Sequence, residues 1–284
     1  MPSTWLITGT SSGLGLELTR QLLARGDRVI ALQRRPERLD RLLLDHPDAL
    51  WVHDVDVTDG LRVRSAVDGA WRDRGRVDVV VANAGFGLFG ALEELDDDDI
   101  RRQVETNVMG SLALIRAAVP HLREQGGGKI VQISSMAGQM AAPGMSLYHL
   151  TKWANEGLVE ALREELAPFG IETCIVEPGS ARTEFGGSSM TVARSLPAYD
   201  DTPAAAVRGR RERSRESIPG DAGRMAGAVI DATGHSPMPR RLLLGSDAYA
   251  LVTASVRARL AEAEAQEAIA RSTDADDYDP TAPH

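Results

Sequence analysis

The chain has 284 residues, of which 43% are hydrophobic and one is cysteine, and its formal net charge is -9 at pH 7. It is long enough to bury one large core, and its negative charge argues against a nucleic-acid partner because phosphates would be repelled. No run of about 18 apolar residues and no leader before Trp5 is present, so with its single cysteine we expect a cytoplasmic protein without membrane contact.

Short apolar runs rich in β-branched residues alternate with helical patterns along the chain. They are Trp5–Thr8, Val29–Leu32, Trp51–Val55, Val77–Ala82, Ile130–Ile133, Ile171–Val176 and Leu242–Leu244. Between the first two, leucines at 14, 18 and 22 predict a helix with one buried face. Near-continuous apolar strands joined by helices indicate a parallel sheet covered on both faces. We therefore predict an α/β fold, a single doubly wound, Rossmann-like domain over residues 1–271 with a parallel, seven-stranded sheet.

A glycine-rich turn, Thr8–Gly15, follows the first predicted strand and opens into the first predicted helix. Glycines permit a tight turn and a close backbone approach, and the N–H groups at a helix start attract a pyrophosphate. The spacing departs from GxGxxG, but strand, turn and helix in this order predict a dinucleotide phosphate site. Its expected members are Gly9, Ser11, Ser12, Gly13, Leu14 and Gly15.

The second predicted strand ends in Leu32-Gln33-Arg34-Arg35, with no acidic residue at its tip. In a dinucleotide-binding fold, an acid about 20 residues past the glycines binds the ribose 2′-hydroxyl, whereas arginine there accommodates a 2′-phosphate. Two guanidinium groups can bind a phosphate bidentately. Arg34 and Arg35 therefore predict NADP(H) rather than NAD(H), the alternative being two solvated surface charges.

Tyr148 and Lys152 lie four residues apart, after a loop-like run, Pro143–Ser146, and before leucines at 158, 162 and 166 that continue a helix. On a helix the two side chains share one face. An ordinary tyrosine has a pKa of ~10, so a tyrosine that exchanges protons near neutrality must have its pKa lowered to about 7. The Lys152 ammonium and the positive dipole end of a helix start both favour the phenolate, so Tyr148 is the candidate general acid/base.

Residues from about 179 to 240 interrupt the alternation and predict a substrate loop or lid. Within it, the mixed-charge run Arg208–Glu216 predicts a solvated helix. The acidic residues 272–284, which contain almost no apolar side chain, predict a disordered tail. No metal site is predicted, since the run Asp96–Asp99 fits a helix N-terminus.

The glycine turn, Asn83-Ala84-Gly85, Asn107, Ser135, Tyr148 and Lys152 occur in an order that resembles the short-chain dehydrogenase/reductase family over about residues 4 to 250. The stretches Lys152–Gly157 and Glu177–Gly179 are similar to its NADP-linked carbonyl reductases. The resemblance implies a homodimer or homotetramer. It also implies catalytic roles for Asn107, Ser135, Tyr148 and Lys152, and further cofactor contacts from Asp56, Val57, Asn83, Ala84, Gly85, Pro178, Gly179 and Thr183, with Tyr148 and Lys152.

Two of these assignments have competitors. Asp54-Val55 also matches the pair that the family uses beside the adenine, and Ser134 competes with Ser135, although the spacing of 13 residues to Tyr148 favours Ser135. The resemblance implies that Asn107 anchors a water between Lys152 and solvent, and that Lys152 hydrogen-bonds the nicotinamide ribose.

The reaction expected from these residues is hydride transfer between NADP(H) and a carbonyl or secondary alcohol, with Tyr148 moving the proton and Ser135 hydrogen-bonding the oxygen. Apolar side chains beside the motifs predict a hydrophobic substrate: Phe86, Phe89, Met136, Met140, Met145, Phe185 and Met190. Two alternatives remain, a non-catalytic NADP(H)-binding sensor or scaffold and an epimerase or dehydratase that uses the cofactor transiently.

Overall fold

A computed structural model describes residues 2–182, 190–212, 217–275 and 278 of the chain. Its central sheet has seven parallel strands in the order β3-β2-β1-β4-β6-β7-β9. These are β1 (Thr4–Thr8), β2 (Arg28–Gln33), β3 (Leu50–Asp54), β4 (Val79–Ala82), β6 (Gly128–Ile133), β7 (Ile171–Pro178) and β9 (Arg241–Leu244). The predicted α/β fold with a seven-stranded parallel sheet is confirmed.

Helices cover both faces of this sheet. They are α1 (Gly13–Ala24), α2 (Asp40–Asp45), α3 (Gly60–Arg74), α4 (Asp97–Val104), α5 (Gly110–Glu124), α6 (Ser146–Leu166), α7 (Ala222–Thr233), α8 (Ser246–Glu264) and α9 (Glu267–Arg271). One core layer joins the sheet to α1 and α7, and the opposite layer joins it to α3 and α5. Because successive strand side chains point to opposite faces, the fully buried strands supply apolar groups to both layers.

The chain reverses its direction across the sheet between β1 and β4. From β1 it proceeds outward to β2 and β3, then returns to β4 on the other side of β1 and continues to β6, β7 and β9. At such a switch point the loops after neighbouring strands diverge and leave a crevice beyond the carboxyl ends. The glycine turn follows β1 and Asn83 follows β4, so both lie at this crevice.

The segment predicted as a lid divides into two parts where it is described. Residues 190–212 contain β8 (Met190–Val192), which pairs in parallel with β5 (Gly87–Phe89), and a 3₁₀ helix, Pro203–Glu212. By contrast, α7 belongs to the core, where Met225, Ala226 and Val229 pack in the same cluster as leucines of α1. Thr183, Phe185 and most of the predicted tail lie outside the described residues. Across the ranges that are described, no helix is both long and apolar enough to span a membrane.

Candidate active site

The glycine turn is held in shape by Asn83 at the end of the neighbouring strand. Asn83 Nδ2 donates to the backbone oxygens of Thr8 and Gly9, each at 2.9 Å. Gly9 has a φ of 71° and Gly13 a φ of 56°, in the left-handed region that favours glycine. The turn then enters α1 with no acidic residue in its first turn. The first N–H groups of α1 therefore face a crevice suited to an anion, and the residues fit a dinucleotide pyrophosphate.

Gly15 lies behind this turn, outside the cavity lining, where a side chain would meet Gly9 O at 2.4 Å and Asn83 Nδ2 at 2.5 Å. We expect Gly15→Ala to push the turn outward, which destabilises the fold by about 1–3 kcal/mol, the usual cost of overpacking, and weakens dinucleotide binding. Urea unfolding and fluorescence titration with a reduced nicotinamide dinucleotide measure the two effects.

Gly157 provides the matched control because an added Cβ there meets nothing within 4 Å. Gly157→Ala in α6 should leave dinucleotide binding unchanged and keep or raise stability. Equal stability and equal dinucleotide affinity in Gly15→Ala and the parent would refute the packing role of Gly15.

Three arginines surround the far end of the crevice, where the adenosine half of a dinucleotide would lie. Arg34, Arg35 and Arg38 all line the cavity and are exposed. Arg34 Nη1 lies 3.8 Å from Asp56 Oδ2, and both side chains are more than one third exposed. Val55 and Val57 line the same end. Asp56 itself is not among the lining residues; its Oδ1 accepts from the backbone N–H of Thr58 at 3.0 Å, which shapes the turn beside Val57.

Tyr148 and Lys152 lie in the first two turns of α6, as the spacing predicts, and both line the same cavity as the glycine turn. The two residues are 5% and 6% exposed, and Lys152 Nζ lies 5.7 Å from the centroid of the Tyr148 ring. Lys152 Nζ also donates to Ile133 O at 3.1 Å, which fixes its position. Burial lowers the pKa of Lys152 to about 8, although Glu156 opposes that shift, so Lys152 is charged at neutral pH.

Ser135 stands at the carboxyl end of β6 on the cavity wall. Its Oγ accepts from Ala137 N–H at 3.1 Å and lies 3.5 Å from Pro178 O. Ser134 also reaches the wall but is more deeply buried. Both serines therefore reach the cavity, and Ser135 has the more accessible hydroxyl.

A π-helical turn, Glu105–Met109, interrupts the helical path between α4 and α5 at Asn107. Asn107 Oδ1 accepts from Phe86 N–H at 3.0 Å, and its Nδ2 donates to Phe86 O at 2.9 Å and to Thr151 Oγ1 at 3.1 Å. Asn107 does not line the cavity but lies directly behind Gly85, where an added Cβ would be 3.2 Å from Asn107 Oδ1 and 3.9 Å from Lys152 Nζ. The water that the resemblance implies at Asn107 stays a prediction.

The cavity has a volume of about 510 Å³, and its apolar part beside Tyr148 is called here the chamber. Six of the seven side chains predicted to face substrate line the chamber: Phe86, Phe89, Met136, Met140, Met145 and Met190. The seventh, Phe185, lies outside the described residues. Phe89 packs edge-on to the Tyr148 ring at 5.6 Å between centroids and so fixes the phenol. Ala142, Ile218 and Leu251 also line it; they come from distant parts of the chain, and no local motif marks them.

Residues 190–212, called here the cover, are tied to the chamber by the β5–β8 pairing and by a buried carboxylate. Glu94, whose side chain is 2% exposed, accepts from Leu196 N–H at 2.9 Å and from Ala91 N–H at 2.8 Å, and pairs with Arg208. Burial raises the pKa of Glu94, but these hydrogen bonds outweigh it and lower the pKa below its usual value. Arg208 is therefore anchored rather than solvated, which corrects the expectation for the start of the run Arg208–Glu216. Residues 213–216 lie outside the described residues.

Most of the predicted cofactor residues lie on this cavity wall. They are Gly9, Ser11, Ser12, Gly13, Leu14, Arg34, Arg35, Val57, Asn83, Ala84, Gly85, Tyr148, Lys152, Pro178 and Gly179. Gly15, Asp56 and Asn107 support the wall from behind, and Thr183 lies outside the described residues. In the part of the chain that is described, no group of three or more His, Cys, Asp or Glu residues is arranged to hold a metal ion.

Known proteins resemble this chain in sequence and in fold. Residues 3–191 match the family model for short chain dehydrogenase. Oxidoreductase BOA17 of Botryotinia fuckeliana is 40% identical over 251 residues, which cover 87% of this chain and 90% of that protein.

Two solved structures share the fold. A short-chain dehydrogenase from Streptomyces avermitilis superposes with a TM-score of 0.90 at 39% identity, over 97% of this chain and all of that one. ElxO with bound NADP has a TM-score of 0.72 at 26% identity and covers 86% of this chain and 97% of its own. The chain belongs to the short-chain dehydrogenase family of oxidoreductases.

Proposed function

We propose that this protein reduces a hydrophobic ketone or aldehyde with NADPH, or catalyses the reverse oxidation. The observation that carries the proposal is the position of Tyr148 and Lys152, a phenol and an ammonium buried on the wall of the cavity that the glycine turn and the arginines also line. Bound nicotinamide supplies or accepts the hydride.

In the proposed reaction, Tyr148 gives its phenolic proton to the carbonyl oxygen while Ser135 donates a hydrogen bond to that oxygen as charge develops. Lys152 stabilises the phenolate that remains, because an adjacent cation lowers the pKa of a phenol. The N-terminal position of Tyr148 in α6 acts in the same direction. Since the pKa of Lys152 is about 8, we expect activity to fall as the pH rises past that value.

Preference for NADP(H) over NAD(H) is proposed from charge at the adenosine end. Arg34, Arg35 and Arg38 place three guanidinium groups at this end of the cavity, and no acid occupies the tip of β2. A 2′-phosphate would gain charge-assisted hydrogen bonds there that a 2′-hydroxyl cannot. The NADP bound to ElxO is consistent with this preference.

The proposed substrate is hydrophobic because the chamber walls are. Phe86, Met136, Met140, Met145 and Met190 surround the space next to Tyr148. Methionine side chains adapt to irregular apolar shapes, so the chamber suits an aliphatic or polycyclic carbonyl compound better than a sugar.

Net NADPH consumption with a panel of carbonyl compounds tests the function. We expect turnover with apolar ketones or aldehydes and a lower KM for NADPH than for NADH. An epimerase or dehydratase would convert its substrate without net NADPH loss, and a sensor or scaffold would bind NADPH without any conversion. Either of these results would overturn the proposal.

The cover gives a test of the substrate chamber. We expect Glu94→Gln to raise KM for the carbonyl substrate roughly tenfold, because the loss of one charged hydrogen-bonding partner loosens the cover, with much smaller changes in kcat and NADPH Kd. Steady-state kinetics and NADPH titration measure these values.

Glu93→Gln is the matched control. Glu93 is the exposed neighbour of Glu94. It accepts a hydrogen bond from the OH of Tyr199 in the cover at 2.9 Å, and a glutamine amide oxygen can still accept that hydrogen bond. The KM of Glu93→Gln for the carbonyl substrate should remain near that of the parent. Equal KM values in Glu94→Gln and Glu93→Gln would show that the Glu94 ion pair does not hold the chamber closed.

We further propose a homo-oligomer in the cytoplasm. Met109 and Leu150, on the elements that carry Asn107 and Tyr148, expose apolar side chains that a second copy would cover. The sole cysteine, Cys174, is 1% exposed, and burial raises its thiol pKa to about 12, consistent with a structural residue in a reducing compartment. Light scattering after size-exclusion chromatography tests the oligomer; a monomer at micromolar concentration would refute it.

A further inference from the structure

Helix α6 carries more than the Tyr148–Lys152 pair. Tyr148, Lys152, Glu156 and Glu160 follow one another every fourth residue, so they form a stripe along one side of the helix. The first three residues are buried, whereas the Glu160 side chain is 53% exposed. The stripe therefore runs from the phenol in the cavity, past the ammonium, to a carboxylate at the surface.

Arg241 on β9 connects the end of this stripe that holds Glu156 and Glu160 to the sheet. Its guanidinium pairs with Glu156 and Glu160 on α6 and with Glu177 on β7. The side chains of Glu156 and Glu177 are 5% and 1% exposed, and both contact the same nitrogen, Nη1. One guanidinium thus faces three carboxyl groups, two of them buried. Two buried carboxylates at one site resist simultaneous ionisation, which favours a proton on one of them.

The electrostatics of Glu177 agree with this arrangement. Burial, followed by the charge of Glu156, raises the pKa of Glu177 to about 7. Glu156 also raises the pKa of Lys152 against the effect of burial. The charged groups around the pair are Lys152 and Glu160 on α6, and Arg241 on β9, with Arg163 farther along α6.

Glu156 also approaches the cavity wall beside Gly138. An added Cβ at Gly138 would lie 2.5 Å from Glu156 Oε1 and 2.8 Å from Ser134 Oγ, so these two atoms point to the same place. Neither atom has a hydrogen-bond partner among the residues that the structure describes. Ser134 lines the cavity and precedes the proposed catalytic Ser135. Glu156 Oε1 and Ser134 Oγ therefore lie near each other, between the carboxyl pair and the cavity wall.

We propose that Glu156 and Glu177, held together by Arg241, share one proton and act as a positioning pair that keeps Lys152 charged during turnover. The proposal rests on the proposed function, because it concerns the charge that Lys152 presents to Tyr148. The pair keeps one negative charge close to the Lys152 ammonium. Below neutral pH, the proton on Glu177 means that the pair carries one buried negative charge rather than two.

The test is the pH profile of kcat/KM in the double variant Glu156→Gln/Glu177→Gln. Amides keep the shape of the pair but remove its negative charge, so the pKa of Lys152 should fall and the alkaline limit of activity should move about one unit lower. NADPH Kd at pH 6 should be unchanged. Glu160→Gln, which removes an exposed partner of the same arginine, should keep the parent profile. Superimposable profiles for the double variant and the parent would overturn the proposal.

Infrared difference spectroscopy of the parent protein gives a second readout that needs neither turnover nor a stable double variant. A protonated-carboxyl band should disappear as the pH rises through neutrality, and it should be missing from Glu177→Gln. A parent spectrum without that band refutes the shared proton. If the parent shows the band but turns over no carbonyl compound, the proposed function fails and the carboxyl pair stands.

Discussion

Tyr148→Phe is expected to reduce carbonyl turnover by about 10²- to 10⁴-fold, the range over which a positioned general acid contributes. The ring remains, so its edge-on contact with Phe89 and the buried packing around it persist. Only the proton donor is lost. NADPH Kd should therefore stay within about threefold of the parent, since the phenol contributes at most one hydrogen bond to the cofactor. Single-turnover kinetics with NADPH and fluorescence titration separate the two effects.

Tyr249→Phe is the control for this variant, because Tyr249 lies on α8, is 65% exposed and does not line the cavity. Its rate should equal that of the parent. Near-normal turnover in Tyr148→Phe would mean that another group donates the proton.

The second large effect is expected on cofactor binding, at the end of the cavity that Arg34 and Arg35 line. Arg34→Ala/Arg35→Ala should weaken NADPH binding roughly 100-fold or more, because each charge-assisted hydrogen bond to a phosphate contributes about 1.5–3 kcal/mol. NADH binding should change little, since its ribose carries no 2′-phosphate. Isothermal titration with both cofactors gives the ratio directly, and a rise in salt concentration should weaken NADPH binding more than NADH binding.

Arg41→Ala is the matched control. Arg41 follows Arg34 and Arg35 in the sequence and lies on α2, where it is paired with Asp45 at 3.1 Å and does not line the cavity. Arg41→Ala should leave the affinities for NADPH and NADH unchanged. If the double variant loses NADH and NADPH affinity equally, the arginines stabilise the loop rather than recognise the phosphate.

Local patterns predict most of the fold because the parallel strands are buried on both faces and therefore appear as uninterrupted apolar runs. The same holds for Tyr148 and Lys152, since the spacing of four residues determines their common face once the helix is known. The short β5–β8 pair has no comparable pattern. Its strands have three residues each and lie far apart in the sequence, so only the folded chain brings them together.

Long-range pairing explains what local patterns miss. Arg208 is predicted as a solvated charge because its neighbours in sequence are charged, but Glu94, 114 residues away, pairs with it. The support that Asn83 gives to the glycine turn likewise crosses about 75 residues, and Glu156, Glu177 and Arg241 meet only when α6 lies against β7 and β9. Charge alone in a sequence does not reveal which partner the fold will supply.

The most direct test of the central claim follows the hydrogen itself. NADPH carrying deuterium at both C4 positions of the nicotinamide, mixed with an apolar ketone that the protein consumes, should give an alcohol with deuterium on the carbinol carbon in the parent, and Tyr148→Phe should give almost none although it binds NADPH. Alcohol formed without deuterium, or with equal yield in the two proteins, would contradict hydride transfer assisted by Tyr148.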